Sequence, residues 1–204
     1  MVNLPSRLKL IVAAIPIAMG ILQPVIAAGP AQAQDAAESA AEQAADTQDV
    51  GALLAALADA DPGEADRLAG QIRHIWDASG SASADYLLRR TRKAIEVEDL
   101  QAALAHATAL TDHAPEFAQG WAERARTFYA LDLYGPAISD LEHVLALNPQ
   151  HFDAIMGLAV MLDQMGKPED AYEAYLQVKA IHPHQAGLTE ALERLEPQVR
   201  GKSL

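Results

Sequence analysis

The sequence of 204 residues contains no cysteine. A chain without thiols forms no disulfide bond and offers no thiolate to a metal ion. It also cannot carry a lipid on an N-terminal cysteine. Its stability and any binding activity must therefore come from noncovalent packing and from other side chains.

Aromatic residues make up only 5% of the chain, although half of its residues are apolar. Much of the apolar fraction is alanine, whose small side chain favours closely packed helices over a sheet stabilised by bulky side-chain pairs. The composition therefore favours an all-helical fold, and the chain is long enough for one domain with a single core.

Basic residues are also few. Fifteen Lys and Arg against 28 Asp and Glu give a net charge of −13. The phosphates of a nucleic acid are repelled by a surface of that sign, since binding them requires clustered Lys and Arg. We therefore expect no nucleic-acid partner.

Charged residues are nearly absent from 1–33, which carry only two, both basic. These are followed by an apolar run over 10–22 and by an Ala-x-Ala site at 31–33, the order found in a secretory signal peptide. We expect cleavage after Ala33 and a periplasmic protein of a Gram-negative bacterium. The alternative is an uncleaved segment that anchors the protein in the inner membrane, the only case in which we expect a membrane contact.

Large apolar side chains are missing from residues 34–48, which we predict to be a disordered, acidic, Ala-rich linker. Over 49–83, leucines at helical spacing predict an N-terminal helical hairpin, whose second helix begins at Pro62 after the capping residue Asp61. We expect this hairpin to cover the terminal apolar face of the array that follows, with Trp76 in its packed core.

A regular period dominates the rest of the chain. Three prolines stand at one constant interval, and an alanine precedes each of them by the same distance along the sequence. These residues are Pro115, Pro149 and Pro183, and Ala103, Ala137 and Ala171. Proline ends a helix, and alanine lets two helices approach closely. The pattern predicts two short antiparallel helices in each period.

This pattern resembles the tetratricopeptide (TPR) repeat, whose period is the same as the interval between these prolines. The second copy carries it most fully, with Trp121, Ala125 and Phe128 in the first helix and Ala137 in the second. The resemblance covers 84–185 and implies a right-handed superhelix of helical hairpins. The implied repeats are 84–117, 118–151 and 152–185.

The predicted fold is therefore an all-α TPR solenoid with an N-terminal helical hairpin and a C-terminal capping helix. The last stretch, 186–204, supplies the capping helix through Leu188, Leu192 and Leu195, which share one side. We expect Pro197 to end this helix. A loose tail is expected from Arg200 onwards.

No catalytic constellation is found in the sequence. His182 and His184 flank Pro183, but no further ligand completes a zinc site, so we expect solvated histidines in a turn. Zinc-protease and nucleotide-binding motifs are absent. We expect no enzymatic activity, no metal, no cofactor and no small-molecule substrate. An enzyme with an unrecognised site is the least favoured alternative.

The family resemblance implies a partner-binding surface. In TPR proteins, the first helices of the repeats line a concave groove that holds a peptide or a helix of another protein. The register places four candidate contact residues in it: Arg92, Arg126, Tyr129 and Met156. The two arginines occupy equivalent positions, and guanidinium groups bind carboxylates in bidentate fashion. The alternative is that they pair with carboxylates of this chain and keep the face soluble.

Family members that grip the acidic C-termini of heat-shock chaperones do so with lysines and asparagines at set positions. This sequence has Leu88, Arg92, Glu123, Asp153 and Gly157 there. Because none of them matches, we do not expect a carboxylate clamp. The sequence predicts a periplasmic, non-enzymatic adaptor that binds a segment of another envelope protein. The alternative is the same module tethered at the inner membrane as an assembly factor.

Overall fold

The computed structural model describes residues 50–201. The predicted signal peptide and linker lie outside this part, as do residues 202–204. The regular elements of the described part are α-helices, and none of these is long and apolar enough to cross a bilayer. Their bounds are 50–59 (α1), Pro62–Trp76 (α2), Ala82–Glu96 (α3), Leu100–His113 (α4), Ala118–Ala130 (α5), Tyr134–Leu147 (α6), Phe152–Gln164 (α7), Pro168–Ile181 (α8) and Leu188–Arg200 (α9).

Helices α3 to α8 form three pairs, and the same turn joins the two helices of each pair. The residue at the left-handed position of this turn is Glu98, Asp132 or Gly166, with φ of 58°, 58° and 71°. These positions recur at the same interval as the three prolines. Glycine adopts this conformation without steric cost, whereas the other two residues are strained by roughly 1 kcal/mol each. The predicted all-α solenoid of helical hairpins is confirmed.

Alanine is buried where the helices of a pair cross. Ala125 and Ala137 are fully buried in the second pair, and Ala159 and Ala171 are fully buried in the third. A methyl side chain at these points lets the helix backbones approach closely. The close contacts expected from the periodic alanines are therefore present.

One arginine joins three successive helices. Arg124 of α5 donates two hydrogen bonds to the carboxylate of Asp140 in α6, at 2.7 and 2.8 Å, and a third to the hydroxyl of Thr111 in α4, at 2.8 Å. Its guanidinium carbon lies 4.5 Å from the centroid of the Trp121 ring, in a cation–π contact. This side chain fixes the first pair of helices against the second.

The C-terminal helix α9 caps the array with Leu188, Leu192 and Leu195, all buried as expected. The prediction that Pro197 ends this helix is wrong, because α9 continues to Arg200. The proline removes a single backbone hydrogen bond near the end of the helix, on an exposed side. The last turn gains another contact, since the side-chain Nε2 of Gln198 donates to the backbone carbonyl of Arg194 at 3.2 Å.

The N-terminal hairpin forms as predicted, and Asp61 caps α2 by accepting a hydrogen bond from the Glu64 amide at 3.0 Å. Its place in the fold differs from the prediction. Leu57 and Ile72 belong to an apolar cluster that includes Phe152, the first residue of α7. Among the described residues, this cluster contains none from α3 or α4.

The hairpin therefore covers part of the third repeat rather than the terminal face of the first repeat. Residues 77–81 connect it to α3 through a turn in which Gly80 has φ of 72°. Phe152 offers the hairpin a large aromatic surface, and it is fully buried there. Burying an aromatic side chain of this size is a large apolar gain, which explains why this packing is favoured.

The alanine crossings yield a test of the helix packing. Ala137→Leu forces added volume between α5 and α6 and should lower the free energy of unfolding by about 1–3 kcal/mol, measured by urea denaturation. The matched control is Ala105→Leu, the same change on the exposed side of α4, which should alter stability by less than about 0.5 kcal/mol. Equal stability of the two variants would show that α5 and α6 do not cross at Ala137.

Candidate functional site

A cavity of about 500 Å³ is lined by α3, α5, α6 and α7, with the C-terminal end of α2 as a further wall. This volume is within the usual range for ligand sites. Its apolar lining consists of Ala122, Ala125, Leu141, Ala154, Gly157 and Met161. Its polar lining consists of Arg73, Asp77, Arg92, Gln119, Glu123, Arg126, Tyr129, His151 and Asp153. Small residues predominate in the apolar part, so the backbone of a bound segment can approach closely.

Three of the four predicted contact residues line this cavity, namely Arg92, Arg126 and Tyr129. Met156 does not line it. Its side chain is half-buried against the apolar cluster that α9 shares with α7 and α8. The equivalent residue of the second repeat, Ala122, does line the cavity. Met156 differs because it belongs to the last repeat, where the capping helix adds to the packing around α7.

Arg92 is bound by carboxylates of its own chain. Its two terminal nitrogens donate to both oxygens of Asp77 at 2.7 Å, and its Nε donates to Glu123 at 2.5 Å. The hydrogen bonds from Arg92 to Asp77 are the main reason why its pKa lies above the ordinary arginine value. This arginine therefore links α2, α3 and α5, as the alternative interpretation of the sequence proposed.

Arg126 has a different environment although it stands one repeat period after Arg92. Its contact with Glu123 is a single one at 3.4 Å, and 59% of its side chain is exposed. Tyr129 lies one turn further along α5, and its hydroxyl accepts a hydrogen bond from the Gln164 amide at 2.7 Å. Arg126 thus presents more than half of its side chain to the solvent at the cavity.

The sequence pattern did not reveal the contact between α2 and α7. Arg73 donates to both oxygens of Asp153, at 2.7 and 2.8 Å, across 80 residues of sequence. Its guanidinium carbon also lies 5.0 Å from the centroid of the Phe152 ring. This hydrogen-bonded pairing raises the pKa of Arg73. No local motif indicates such a pair, because Arg73 precedes the repeats whereas Asp153 belongs to the third repeat.

His151 caps α7 in its neutral form. Its Nδ1 accepts a hydrogen bond from the amide of Ala154 at 3.2 Å, and its Nε2 lies 3.1 Å from the side-chain oxygen of Gln119. The proton is therefore on Nε2. The ring stacks on Trp76 of the hairpin with centroids 4.5 Å apart. Burial is the main cause that lowers the pKa of His151 below the ordinary histidine value.

The expectation that His182 and His184 are solvated holds only for His184. That residue is exposed, and its Nε2 lies 3.1 Å from the carbonyl oxygen of Ala60. His182 is only 2% exposed and packs edge-on against Phe152. Its Nδ1 has no hydrogen-bond partner within residues 50–201, and burial lowers its pKa. The prediction was wrong because His182 packs against Phe152, which is itself buried in the apolar cluster of the hairpin.

The cavity carries no net charge at neutral pH, because its three arginines face three carboxylates. Glu123 and Asp153, two of the residues for which the sequence predicts no carboxylate clamp, both line the cavity. Among residues 50–201, no group of three or more His, Asp and Glu side chains is placed to hold a metal ion. The arrangement is suited to noncovalent binding of a mainly apolar segment, with Arg126 available to one anionic group.

The two equivalent arginines should respond differently to the same substitution. Arg92→Met leaves the buried carboxylate of Glu123 without its main partner and should lower the free energy of unfolding by about 1–3 kcal/mol. Arg126→Met removes an exposed contact and should change it by less than about 1 kcal/mol. Urea denaturation of both variants measures the difference. A loss for Arg126→Met as large as that for Arg92→Met would contradict these assignments.

Comparisons with known proteins agree with this architecture. The tetratricopeptide repeat model matches residues 133–195. A TPR repeat-containing protein of Rhizobium etli is 32% identical over 141 residues, which are 69% of this chain and 69% of that relative. The first TPR domain of Spaghetti (RPAP3), solved with the HSP90 peptide SRMEEVD, has a TM-score of 0.56 at 22% identity, covering 59% of this chain and 95% of that one. The type III secretion chaperone SycD of Yersinia enterocolitica, solved with a peptide of the translocator YopD, has a TM-score of 0.51 at 13% identity, with coverages of 59% and 92%. The chain therefore belongs to the family of tetratricopeptide repeat-containing proteins.

Proposed function

We propose that this protein is a non-enzymatic adaptor that binds a segment of a partner protein in the cavity described above. The observation that carries the proposal is the combination of a small-residue apolar lining with one largely free guanidinium, that of Arg126. An apolar lining with few polar groups is the usual composition of a binding site. The partner segment would place small apolar side chains against α5 and α7, and one carboxylate against Arg126.

Two of the similar structures support a peptide as the ligand class. One holds an HSP90 peptide and the other a peptide of YopD. Their peptides differ, so the fold by itself does not name the partner. The cavity here argues against a ligand with several carboxylates, because Glu123 and Asp153 line it. We therefore favour a segment with a single acidic group.

The cellular location forms part of the proposal. The charge pattern of residues 1–33 supports export, so the partner would be another protein of the bacterial envelope. In the alternative, the uncleaved segment holds the same module at the inner membrane as an assembly factor. Alkaline extraction of membranes distinguishes them, because it releases a cleaved periplasmic protein and leaves an anchored one in the pellet.

Site-specific photo-crosslinking in living cells tests the proposal. A photoreactive amino acid in place of Ala122 lies in the apolar lining of the cavity, whereas one in place of Ala105 lies on an exposed side of α4. We expect a discrete crosslinked partner from position 122 and none from position 105. In purified form, Arg126→Glu should weaken binding of that partner about tenfold or more, because it replaces an attractive charge by a repulsive one.

The matched control is Arg89→Glu, which makes the same charge change at an exposed residue outside the cavity. It should leave the affinity unchanged. A substitution at Arg92 is unsuitable here, since that residue also stabilises the fold. If both positions crosslink the same proteins, or if Arg126→Glu binds as tightly as the unaltered protein, the cavity is not the binding site.

A further inference from the structure

The N-terminal hairpin contributes most of the buried residues of the apolar cluster in which it packs. Leu54 and Leu57 of α1 and Leu68 and Ile72 of α2 are buried in this cluster, and Phe152 of α7 is its one buried member from the repeats among the described residues. A short connection through Gly80 joins the hairpin to α3. Rotation about such a connection moves the two helices as a unit, because the backbone change is confined to a few residues.

The contacts between the hairpin and the repeats are individually modest. In the ion pairs of Arg73 with Asp153 and of Arg92 with Asp77, the four side chains are between 31% and 41% exposed. Ion pairs with this much exposure are screened by water. Phe152 supplies the main apolar contact. The free energy of docking the hairpin is therefore small, and a change of charge at the contact can reverse its sign.

Two buried histidines lie at this contact. His151 stacks on Trp76, and His182 packs against Phe152. A proton on Nδ1 of His151 abolishes its hydrogen bond from the Ala154 amide and places a positive charge at the N-terminus of α7. A proton on Nδ1 of His182 has no acceptor among the described residues. A buried charge without a hydrogen-bond partner is strongly unfavourable.

The charged groups around both histidines are of both signs. His151 is acted on by Arg73 of α2, by Asp77 directly after α2 and by Asp153 of α7, and the neutral Gln119 of α5 also faces it. His182 is acted on by Arg73 and Asp66 of α2, by Asp153 of α7 and by His184 of the following turn. The carboxylates raise the pKa of each histidine, but burial has the larger effect and lowers it. Asp77 and Asp153 are also held by Arg92 and Arg73.

Docking of the hairpin depends on pH because both histidines are buried in the docked form. Each histidine has a lower pKa in the docked form than when it is exposed, so the docked form binds fewer protons. Docking is then most favourable above the ordinary histidine pKa of about 6.5 and weakens as the pH falls below it.

We propose that the hairpin is a pH-sensitive wall of the cavity. It is docked on the repeats while His151 and His182 are neutral, and it moves away from them when both are protonated. Opening removes Arg73 and Asp77 from the lining and widens access to α3, α5 and α7. The consequence for a bound partner rests on the proposed function. The movement itself does not, so it can be tested without a partner.

Tryptophan fluorescence reports this movement. The chain has two tryptophans, and Trp121→Phe leaves Trp76 as the single emitter at the contact. Between about pH 7.5 and pH 5 we expect the emission of Trp76 to shift to longer wavelength as it becomes exposed, while far-UV circular dichroism retains its helical signal. Replacing His151 and His182 together by Asn should abolish the shift. Asn is a good helix N-cap at 151, and Asn148 already occupies the position equivalent to 182.

The control for the histidine substitutions is His74→Asn, at an exposed residue of α2, which should retain the shift.

The absence of cysteine permits a second measurement with every histidine intact. Dyes on Gly70→Cys and Lys179→Cys, both exposed, should show reduced energy transfer on acidification. Three results would each overturn the proposal. The protein with native histidines could show neither signal, or the fluorescence shift could persist in the double Asn variant. The third is a fluorescence shift that coincides with loss of the helical circular-dichroism signal.

Discussion

The burial of Phe152 by the N-terminal hairpin is the contact on which the shape of the cavity depends. Phe152 begins α7, in the last repeat, whereas the hairpin precedes the first repeat. Their contact brings the two ends of the array together. It positions Arg73 and Asp77 beside the first helices of the repeats, and it covers His182. Without it, the same repeats would present an open groove with fewer walls.

This contact also explains why two arginines at equivalent positions have different roles. Repetition alone gives Arg92 and Arg126 the same place on α3 and α5. The hairpin breaks the symmetry, because Asp77 reaches Arg92 and no equivalent carboxylate from the hairpin reaches Arg126 in the described part of the chain. One arginine is consequently a structural link, and the other remains available to a partner. The small side chains of Ala122, Ala125 and Gly157 leave room beside it.

The sequence predicted the features that depend on neighbours within one period. Pro62 after its capping residue Asp61, the periodic prolines and the buried alanines follow from local backbone and packing rules, so the helices and their pairing could be predicted. The docking of the hairpin was not, because it depends on a contact between residues 80 positions apart with no repeat relation. The position of Met156 outside the cavity and the burial of His182 have the same origin, since in both cases a tertiary contact overrides the repeat position. Pro197 shows a different limit, as a proline near a helix end costs too little to stop a helix with three buried leucines.

A double-mutant cycle on Arg73 and Asp153 shows whether the hairpin is docked on the third repeat in solution. The free energies of unfolding of Arg73→Met, Asp153→Ala and the double variant are compared with that of the unaltered protein by urea denaturation. A coupling energy of about 0.5–1 kcal/mol is expected, since the two side chains share a bidentate contact that is partly exposed. Effects that add to within about 0.3 kcal/mol would contradict it, because residues of separate, undocked elements do not couple.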